Sequence, residues 1–198
     1  DATVFENQGK HYYVWAEKVG VGRQVSNLYI ARRERPDKLA TVQVLLTAPD
    51  YDWERIGFWV NEGPAVIKNN GKIFLTFSAS ATGACYCMGM LSARLDSDLL
   101  DPNSWKKQRK PVLETNPKLK VFGPGHNCFV RAEDGKWLSL LHFRDYESII
   151  GDPLDDHNRH AHVLKVQFRK NGSPLFKLDK RELYNTPFEN EKQKGINA

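Results

Sequence analysis

The fold of this chain is decided by one stretch, Glu62-Gly63-Pro64-Ala65-Val66-Ile67, with Gly71-Lys72 and Ile73-Phe74-Leu75-Thr76-Phe77 after it. An apolar run, a turn ending in Gly-Lys and a second run rich in branched and aromatic residues predict a β-hairpin. The same pattern starts at residues 1 and 126, with its Gly-Lys turns at residues 9 and 135. Both markers therefore recur every 61 to 64 residues, which indicates a true internal repeat.

Each repeat also contains two further strand candidates. The third strands are expected at 28–31, 86–91 and 163–166, and the fourth strands at 42–46, 111–113 and 174–176. No run of ten residues has the apolar spacing of a helix, and a single helical turn is expected at 102–105. Four strands in each repeat predict an all-β chain that forms β-propeller blades. A β-sandwich would not need equal spacing, and the rungs of a β-solenoid would be shorter.

The repeat divides the chain into three blades of four strands, at about 1–60, 61–122 and 123–178. Residues 179–198 are polar and are expected to be a tail or linker. Propellers usually close with four to eight blades. Because the chain starts directly at the first strand of a blade and lacks an initial Met, we expect further blades upstream in the same protein.

Charge and composition exclude several classes of function. The net charge is +5, and the basic residues are densest at 32–35 and 106–110, where loops are expected. We therefore interpret them as charges of solvated loops and expect no nucleic-acid partner. No stretch approaches the roughly 18 apolar residues of a membrane span. There is no Gly-x-Ser-x-Gly elbow and no phosphate-binding glycine loop.

The three cysteines are interpreted as small core residues, because no partner completes a zinc-type spacing around Cys85 and Cys87. A disulfide from Cys128 to Cys85 or Cys87 remains open at this point.

Asp1, Glu62 and His126 occupy equivalent positions at the start of the first strand of each blade. That strand lines the central channel of a propeller, so the three side chains are expected to converge. Neighbouring carboxylates raise each other's pKa, and a Glu that stays protonated can donate a proton to a leaving oxygen, as the acids of glycosidases do. Taken alone, a Glu before Gly-Pro is usually a turn residue and such a His is usually structural. The functional interpretation depends on the shared channel position.

Substrate contacts are expected from Phe58, Asn61 and Arg159. Phe58 belongs to an aromatic-rich segment suited to sugar rings, Asn61 precedes Glu62, and Arg159 can donate hydrogen bonds to sugar hydroxyls. Arg159 lies in the polar run 152–162, which also contains His157, His160 and His162. We interpret this run as a polar loop that contacts substrate rather than as a metal site.

A wider set of motifs points to a known family. They are Asp1-Ala2-Thr3, Tyr51-Asp52-Trp53-Glu54-Arg55, Asn61-Glu62-Gly63-Pro64, Ser78-Ala79-Ser80-Ala81-Thr82, Gly123-Pro124-Gly125-His126-Asn127 and Asn158-Arg159-His160. Together they resemble glycoside hydrolase family 43 over about residues 1–178, most closely its α-L-arabinofuranosidases, including exo-acting enzymes on α-1,5-linked arabinan. This resemblance implies a five-bladed propeller and an inverting mechanism that uses three acidic residues.

By motif position, the resemblance implies that Glu62 is the general acid and that Asp1 tunes and orients it. His126 is similar to the axial histidine of the family, which often neighbours a calcium, sodium or water site, as a direct ligand or through water. No cofactor is implied as a requirement. The general base belongs to the first blade, which this chain lacks, so the isolated chain is expected to be inactive.

The implied function is release of L-arabinofuranose from arabinan or arabinoxylan side chains. The implied partner is a plant cell-wall polysaccharide or an arabino-oligosaccharide, and the implied location is outside the cell. The alternatives are a β-xylosidase or endo-arabinanase of the same fold, or a non-catalytic carbohydrate-binding propeller fragment.

Overall fold

A computed structural model describes residues 1–179 of the chain. The expected tail or linker therefore lies outside the described residues from residue 180 onwards. The first repeat forms an antiparallel sheet of β1 (Ala2–Asn7), β2 (Lys10–Val21), β3 (Gln24–Arg35), β4 (Lys38–Leu39) and β5 (Val44–Thr47), in which both β4 and β5 pair with β3.

The second and third repeats each form four antiparallel strands. The second contains β6 (Trp59–Asn69), β7 (Lys72–Ala79), β8 (Cys87–Arg94) and β9 (Lys106–Lys107), and the third contains β10 (Phe122–Arg131), β11 (Trp137–Arg144), β12 (His160–Phe168) and β13 (Pro174–Phe176). A short parallel pairing of β3 with β6 joins the first two sheets into one nine-stranded sheet. Within residues 1–179, helix is limited to the 3-10 turns Asp52–Glu54, Pro102–Ser104 and Pro117–Leu119.

The three predicted hairpins are present, and each turns at its Gly-Lys pair. Gly9, Gly71 and Gly135 have φ values of +73°, +70° and +79°, a backbone conformation that glycine adopts without steric cost. The turns therefore bring each first strand against the second strand of its own repeat, as predicted.

The fourth strand of the second repeat differs from its predicted position at 111–113. The outer partner of β8 is divided: Lys107 of β9 pairs with Leu91, and Leu113 forms an isolated bridge with Met88. Pro111 lies between the two pieces and has no N–H to donate to β8, so a continuous ladder cannot form there.

The middle repeat is buried on both faces. Along β7, Ile73, Leu75 and Phe77 pack into one apolar cluster with side chains of the first repeat, whereas Phe74 packs into a second cluster with side chains of the third repeat, such as Leu141. Successive side chains of a strand point to opposite faces of the sheet, so one strand contributes to both clusters. Blades that pack face to face in this way fix the positions of their first strands.

The first strands of the three repeats line a common cavity of about 580 Å³, formed by residues 1–4, 63–66 and 126–129. Sheets arranged with their first strands around a shared channel are propeller blades. The prediction of an all-β propeller fold is confirmed.

All three cysteines are free: Cys87 is buried, Cys85 is partly buried and Cys128 is exposed. The disulfide left open by the sequence is therefore not formed. In residues 1–179, no helix is both long enough and apolar enough to cross a membrane.

Candidate active site

Glu62 lies where β6 departs from regular pairing. The register of β6 against β7 shifts between Glu62 and Ala65, and Gly63 has a φ of +56°. A bulge of this kind bends a strand and changes the direction of a neighbouring side chain. The Gly-Pro turn recognised in the sequence thus serves as a bulge inside a strand, and the Glu62 side chain remains partly exposed.

His126 lies at a second bulge, on β10. The register of β10 against β11 shifts on both sides of Gly125, and His126 itself has a φ of +53°. A residue other than glycine is uncommon in this left-handed region and needs support from its surroundings. Part of that support is a hydrogen bond of 2.7 Å from the His126 backbone N–H to Ser78 Oγ on the neighbouring blade.

Asp1, Glu62 and His126 come together at the mouth of the channel. Asp1 Oδ1 lies 3.6 Å from His126 Nε2, and Glu62 Oε1 lies 4.0 Å from His126 Nδ1. The Gly63 N–H donates to Asp1 Oδ2 at 3.3 Å. One donor atom from each of the three side chains lies within 4.8 Å of the other two. The structure therefore brings together the residues that the repeat placed at equivalent positions.

Tyr86 completes this cluster, although its sequence context predicts only a strand at 86–91. Its hydroxyl donates to Glu62 Oε1 at 2.7 Å and lies 3.2 Å from His126 Nδ1. The side chain is 1% exposed. Burial, and then the negative charge of Glu62, raise the pKa of Tyr86 well above its usual value, so the phenol keeps its proton.

His142 on β11 is a second site residue that the sequence did not reveal. Its ring stacks on Tyr86, with ring centroids 5.7 Å apart, and faces His126 at 6.2 Å. Burial, and then the Arg159 guanidinium, lower the pKa of His142 to about 4, so the imidazole is neutral near pH 7. No spacing or motif in the sequence singles out this residue.

Two pockets adjoin the cluster. A largely apolar pocket of about 210 Å³ is lined by Glu62 and by Phe58, which is 53% exposed. A second pocket of about 390 Å³ is lined by His126, His142, His157 and Arg159. The structure thus places Phe58 and Arg159 at the site, in different pockets.

Comparison with known proteins identifies the family. The model of the family described as glycosyl hydrolases family 43 matches residues 1–174. This chain belongs to that family. The resemblance inferred from its motifs is confirmed.

The family 43 chain is similar to alpha-L-arabinofuranosidase 43 of Humicola insolens, with 46% identity over 89% of this chain and 37% of that protein. It is also similar to the extracellular exo-alpha-(1->5)-L-arabinofuranosidase of Streptomyces avermitilis, with 43% identity over 89% of this chain and 37% of that protein. The crystal structure of alpha-L-arabinofuranosidase from Lactobacillus brevis is 51% identical, has a TM-score of 0.88 and matches 93% of this chain and 57% of that one. The chain spans 37% of the length of these curated relatives.

Asn61 of this family 43 chain does not face either pocket, which corrects the expectation of a sugar contact. It is 0% exposed, its amide nitrogen donates to Glu54 Oε1 and to the Val60 carbonyl, and its amide oxygen accepts from Thr47 Oγ1. Side chains alternate along a strand, so Asn61 points into the protein while Glu62 points to the site. Asn61 therefore supports the start of β6.

The partner of Asn61 belongs to a buried charged network. Glu54 is 0% exposed and accepts hydrogen bonds from the backbone N–H groups of Asp50 and Tyr51, both at 2.8 Å. Lys107 Nζ lies 2.6 Å from Glu54 Oε1, and its side chain is 12% exposed. Lys107 is thus not solvated loop charge as expected, because its charge pairs with Glu54 behind the site.

The polar run 152–162 begins as a loop that folds over the site and ends on β12. Arg144, which is 1% exposed, donates from its two terminal nitrogens to the carbonyl groups of Thr82 and Pro153, both at 2.8 Å. One segment of this loop, 152–154, lines the apolar pocket, and His157 and Arg159 line the other pocket. Arg144 thus fixes a loop that contributes to both pockets.

The described residues fit a directly bound calcium ion poorly. Among them, Asp1, Glu62 and His126 are the group that could hold a metal, and they offer two carboxylates and one imidazole. Calcium takes six to eight oxygen ligands. An ion beside His126 would therefore have to keep most of its ligands as water.

Proposed function

We propose that this chain is the part of a glycoside hydrolase that holds the general acid, and that the whole enzyme releases L-arabinofuranose from arabinan or arabinoxylan side chains. The observation that carries the proposal is the placement of Glu62. Its Oε1 is held by Tyr86, its Oε2 accepts no hydrogen bond from residues 1–179, and its side chain borders the apolar pocket. The names of the Humicola insolens and Streptomyces avermitilis relatives support the choice of sugar.

In the proposed mechanism, Glu62 protonates the glycosidic oxygen while water attacks the anomeric carbon from the opposite face. Asp1 acts as the orienting carboxylate. It accepts from the Gly63 N–H and lies beside His126, so it braces the bulge that carries Glu62. The reaction needs no cofactor, and an ion at His126 would be structural and held through water.

If the mechanism inverts, Asp1 is not its general base, and we propose that the base comes from another part of the whole enzyme. The two carboxyl groups of an inverting enzyme are about 6.5–9.5 Å apart, which leaves room for the attacking water. The nearest oxygens of Asp1 and Glu62 lie within 4.8 Å, too close for that geometry. A retaining mechanism with Asp1 as nucleophile is the alternative favoured by this short distance, and the anomer first released, observed by NMR, distinguishes the two.

We assign the two pockets to substrate binding. The exposed ring of Phe58 offers an apolar face to a sugar ring in one pocket, and Arg159 offers hydrogen-bond donors to hydroxyls in the other. The proposed substrate is a plant cell-wall polysaccharide or an arabino-oligosaccharide. We also propose that the enzyme acts outside the cell, because two relatives are named extracellular.

Replacement of Glu62 tests the proposed function. In the full-length protein, Glu62→Gln should lower kcat on an α-1,5-linked arabino-oligosaccharide by about 10²- to 10⁴-fold, the usual contribution of a general acid. The matched control is Glu133→Gln, which makes the same change at an exposed turn residue. Full activity of Glu62→Gln would reject the role of Glu62. Hydrolysis of an aryl β-xyloside in preference to an aryl α-L-arabinofuranoside would reject the proposed sugar.

A further inference from the structure

We propose that Tyr86 is the positioning residue of the general acid: its hydroxyl donates to Glu62 Oε1 and so directs the acidic proton to Oε2. The inference rests on the proposed function, because it matters only if Glu62 donates a proton. Tyr86 does not border either pocket, so it would act through Glu62 rather than on the substrate.

The direction of the hydrogen bond follows from the single proton of a phenol. Tyr86 lies 2.7 Å from Glu62 Oε1 and 3.2 Å from His126 Nδ1, and it can donate to one of them. Glu62 Oε1 is the nearer partner and always has a lone pair that can accept, whereas His126 Nδ1 accepts only in the tautomer that leaves this nitrogen unprotonated. Tyr86 therefore donates to Glu62, and the contact with His126 is a hydrogen bond when Nδ1–H donates to the tyrosine oxygen.

That hydrogen bond makes the two oxygens of Glu62 unequal. When the carboxyl group is protonated, the oxygen without the proton is the better acceptor, so donation from Tyr86 to Oε1 favours the proton on Oε2. Oε2 accepts no hydrogen bond from residues 1–179, and the Glu62 side chain borders the apolar pocket, where we place the glycosidic oxygen. As the proton leaves, negative charge develops on the carboxylate and the bond from Tyr86 becomes stronger. Tyr86 would thus stabilise the transition state more than the ground state.

The surroundings of Tyr86 allow the ring little movement. A Cβ atom at Gly125 would lie 2.3 Å from Tyr86 Cε1, closer than atoms can approach, so β10 passes directly against the ring. On another side the ring stacks on His142, with an angle of 5° between the planes. A donor held on rigid elements keeps its direction, which a positioning group requires.

The test compares the effect of Tyr86→Phe on kcat for two substrates that differ in their leaving group. A dinitrophenolate leaves without protonation, whereas an unactivated alcohol must be protonated as it leaves. Loss of acid catalysis therefore slows hydrolysis of a substrate with an alcohol leaving group and has little effect on a dinitrophenyl substrate. In the full-length protein, Tyr86→Phe should lower kcat on an alkyl arabinofuranoside about 10- to 100-fold, as expected for a lost hydrogen bond to a charged group. On the 2,4-dinitrophenyl arabinofuranoside, kcat should fall by less than about 3-fold.

Two controls separate positioning from a structural role. Tyr12→Phe makes the same change at a buried tyrosine that stacks on Phe5 in the first blade, and it should affect neither substrate. In a Glu62→Gln background, Tyr86→Phe should not lower kcat on the alkyl substrate any further, because both changes remove the same function, proton donation by Glu62.

Three outcomes would overturn the inference. Equal loss on both substrates would show that Tyr86 is merely structural. A full further loss in the Glu62→Gln background would show that it acts independently of Glu62. If the unsubstituted protein hydrolyses neither arabinofuranoside, the proposed function itself fails, and the positioning role fails with it.

Discussion

Two residues of the site with positive φ values, Gly63 and His126, fit against each other. Gly63 has a φ of +56° and His126 a φ of +53°. A Cβ atom at Gly63 would lie 3.2 Å from His126 Nδ1 and 3.3 Å from Cγ, so the imidazole occupies the space that a side chain would need. The strain at His126 is thus maintained by close packing against Gly63 and by the hydrogen bond to Ser78.

Replacement of His142 tests how the lowered pKa of one buried residue affects the stability of the protein. Its pKa is lowered to about 4, and the pKa of an unfolded histidine is about 6.5. Between these values the unfolded chain binds a proton that the folded protein does not, so His142 lowers the free energy of unfolding as the pH falls from about 6.5 to about 4. His142→Phe keeps a ring against Tyr86 and removes this titration, so denaturant unfolding across this range should depend less steeply on pH.

The charged and titratable groups that act on His142 are Arg159, His126, Arg144 and His162, all of which remain in this variant. His11→Phe, at an exposed position of β2, is the matched control and should leave the slope unchanged. An equal slope in His142→Phe and the parent protein would contradict the prediction.

At the scale of elements, β9 is attached to the 3-10 turn behind the site by one buried ion pair. Lys107→Met should lower the free energy of unfolding by about 3–5 kcal/mol, because Glu54 would keep a buried charge without its partner. Denaturant titration measures the change. Lys136→Met, which breaks an exposed pair with Asp134, is the control and should have little effect. Adding Glu54→Gln to Lys107→Met should restore part of the loss, and no recovery would argue against the buried charge as the cause.

A second prediction at this scale concerns the loop of residues 145–159. The branched guanidinium of Arg144 reaches two carbonyl groups on separate segments, and a lysine ammonium cannot replace this geometry. Arg144→Lys should therefore increase hydrogen exchange in the loop while the exchange of β7 stays low. Arg94→Lys, at an exposed arginine paired with Asp96, should leave the loop unchanged. Unchanged protection of the loop in Arg144→Lys would show that Arg144 does not hold it.

At the scale of the whole molecule, the proposed function assigns the general acid to this chain and the general base to another part of the enzyme. We therefore expect residues 1–198 alone to release no arabinose from an aryl arabinofuranoside. The full-length protein should release arabinose under the same conditions. Release of arabinose by the isolated chain would contradict the first expectation, and release that survives Glu62→Gln would also reject Glu62 as the general acid.

Much of the architecture could be predicted because its signals are local. Hairpin turns depend on glycine at particular positions, and alternation along a strand depends on its own residues, so the repeat correctly predicted the propeller fold and the meeting of Asp1, Glu62 and His126. The position of β9 could not be predicted, because it depends on where β8 leaves unpaired backbone groups and not on the apolar character of residues 111–113.

Residue order along the chain was sufficient to establish the repeat, the type of fold, the family and the three side chains at the channel. Only the tertiary structure determines which other side chains contact these three. Tyr86 contacts Glu62 across 24 residues and His126 across 40, and Asn61 is directed inward by the pairing of its strand. The contact of Tyr86 with Glu62 forms within the second repeat, whereas the contacts of Tyr86 with His126 and of Asn61 with Thr47 form between repeats. Local sequence specifies the turns and the alternation within a blade, but contacts between blades arise only when the sheets stack around the common channel.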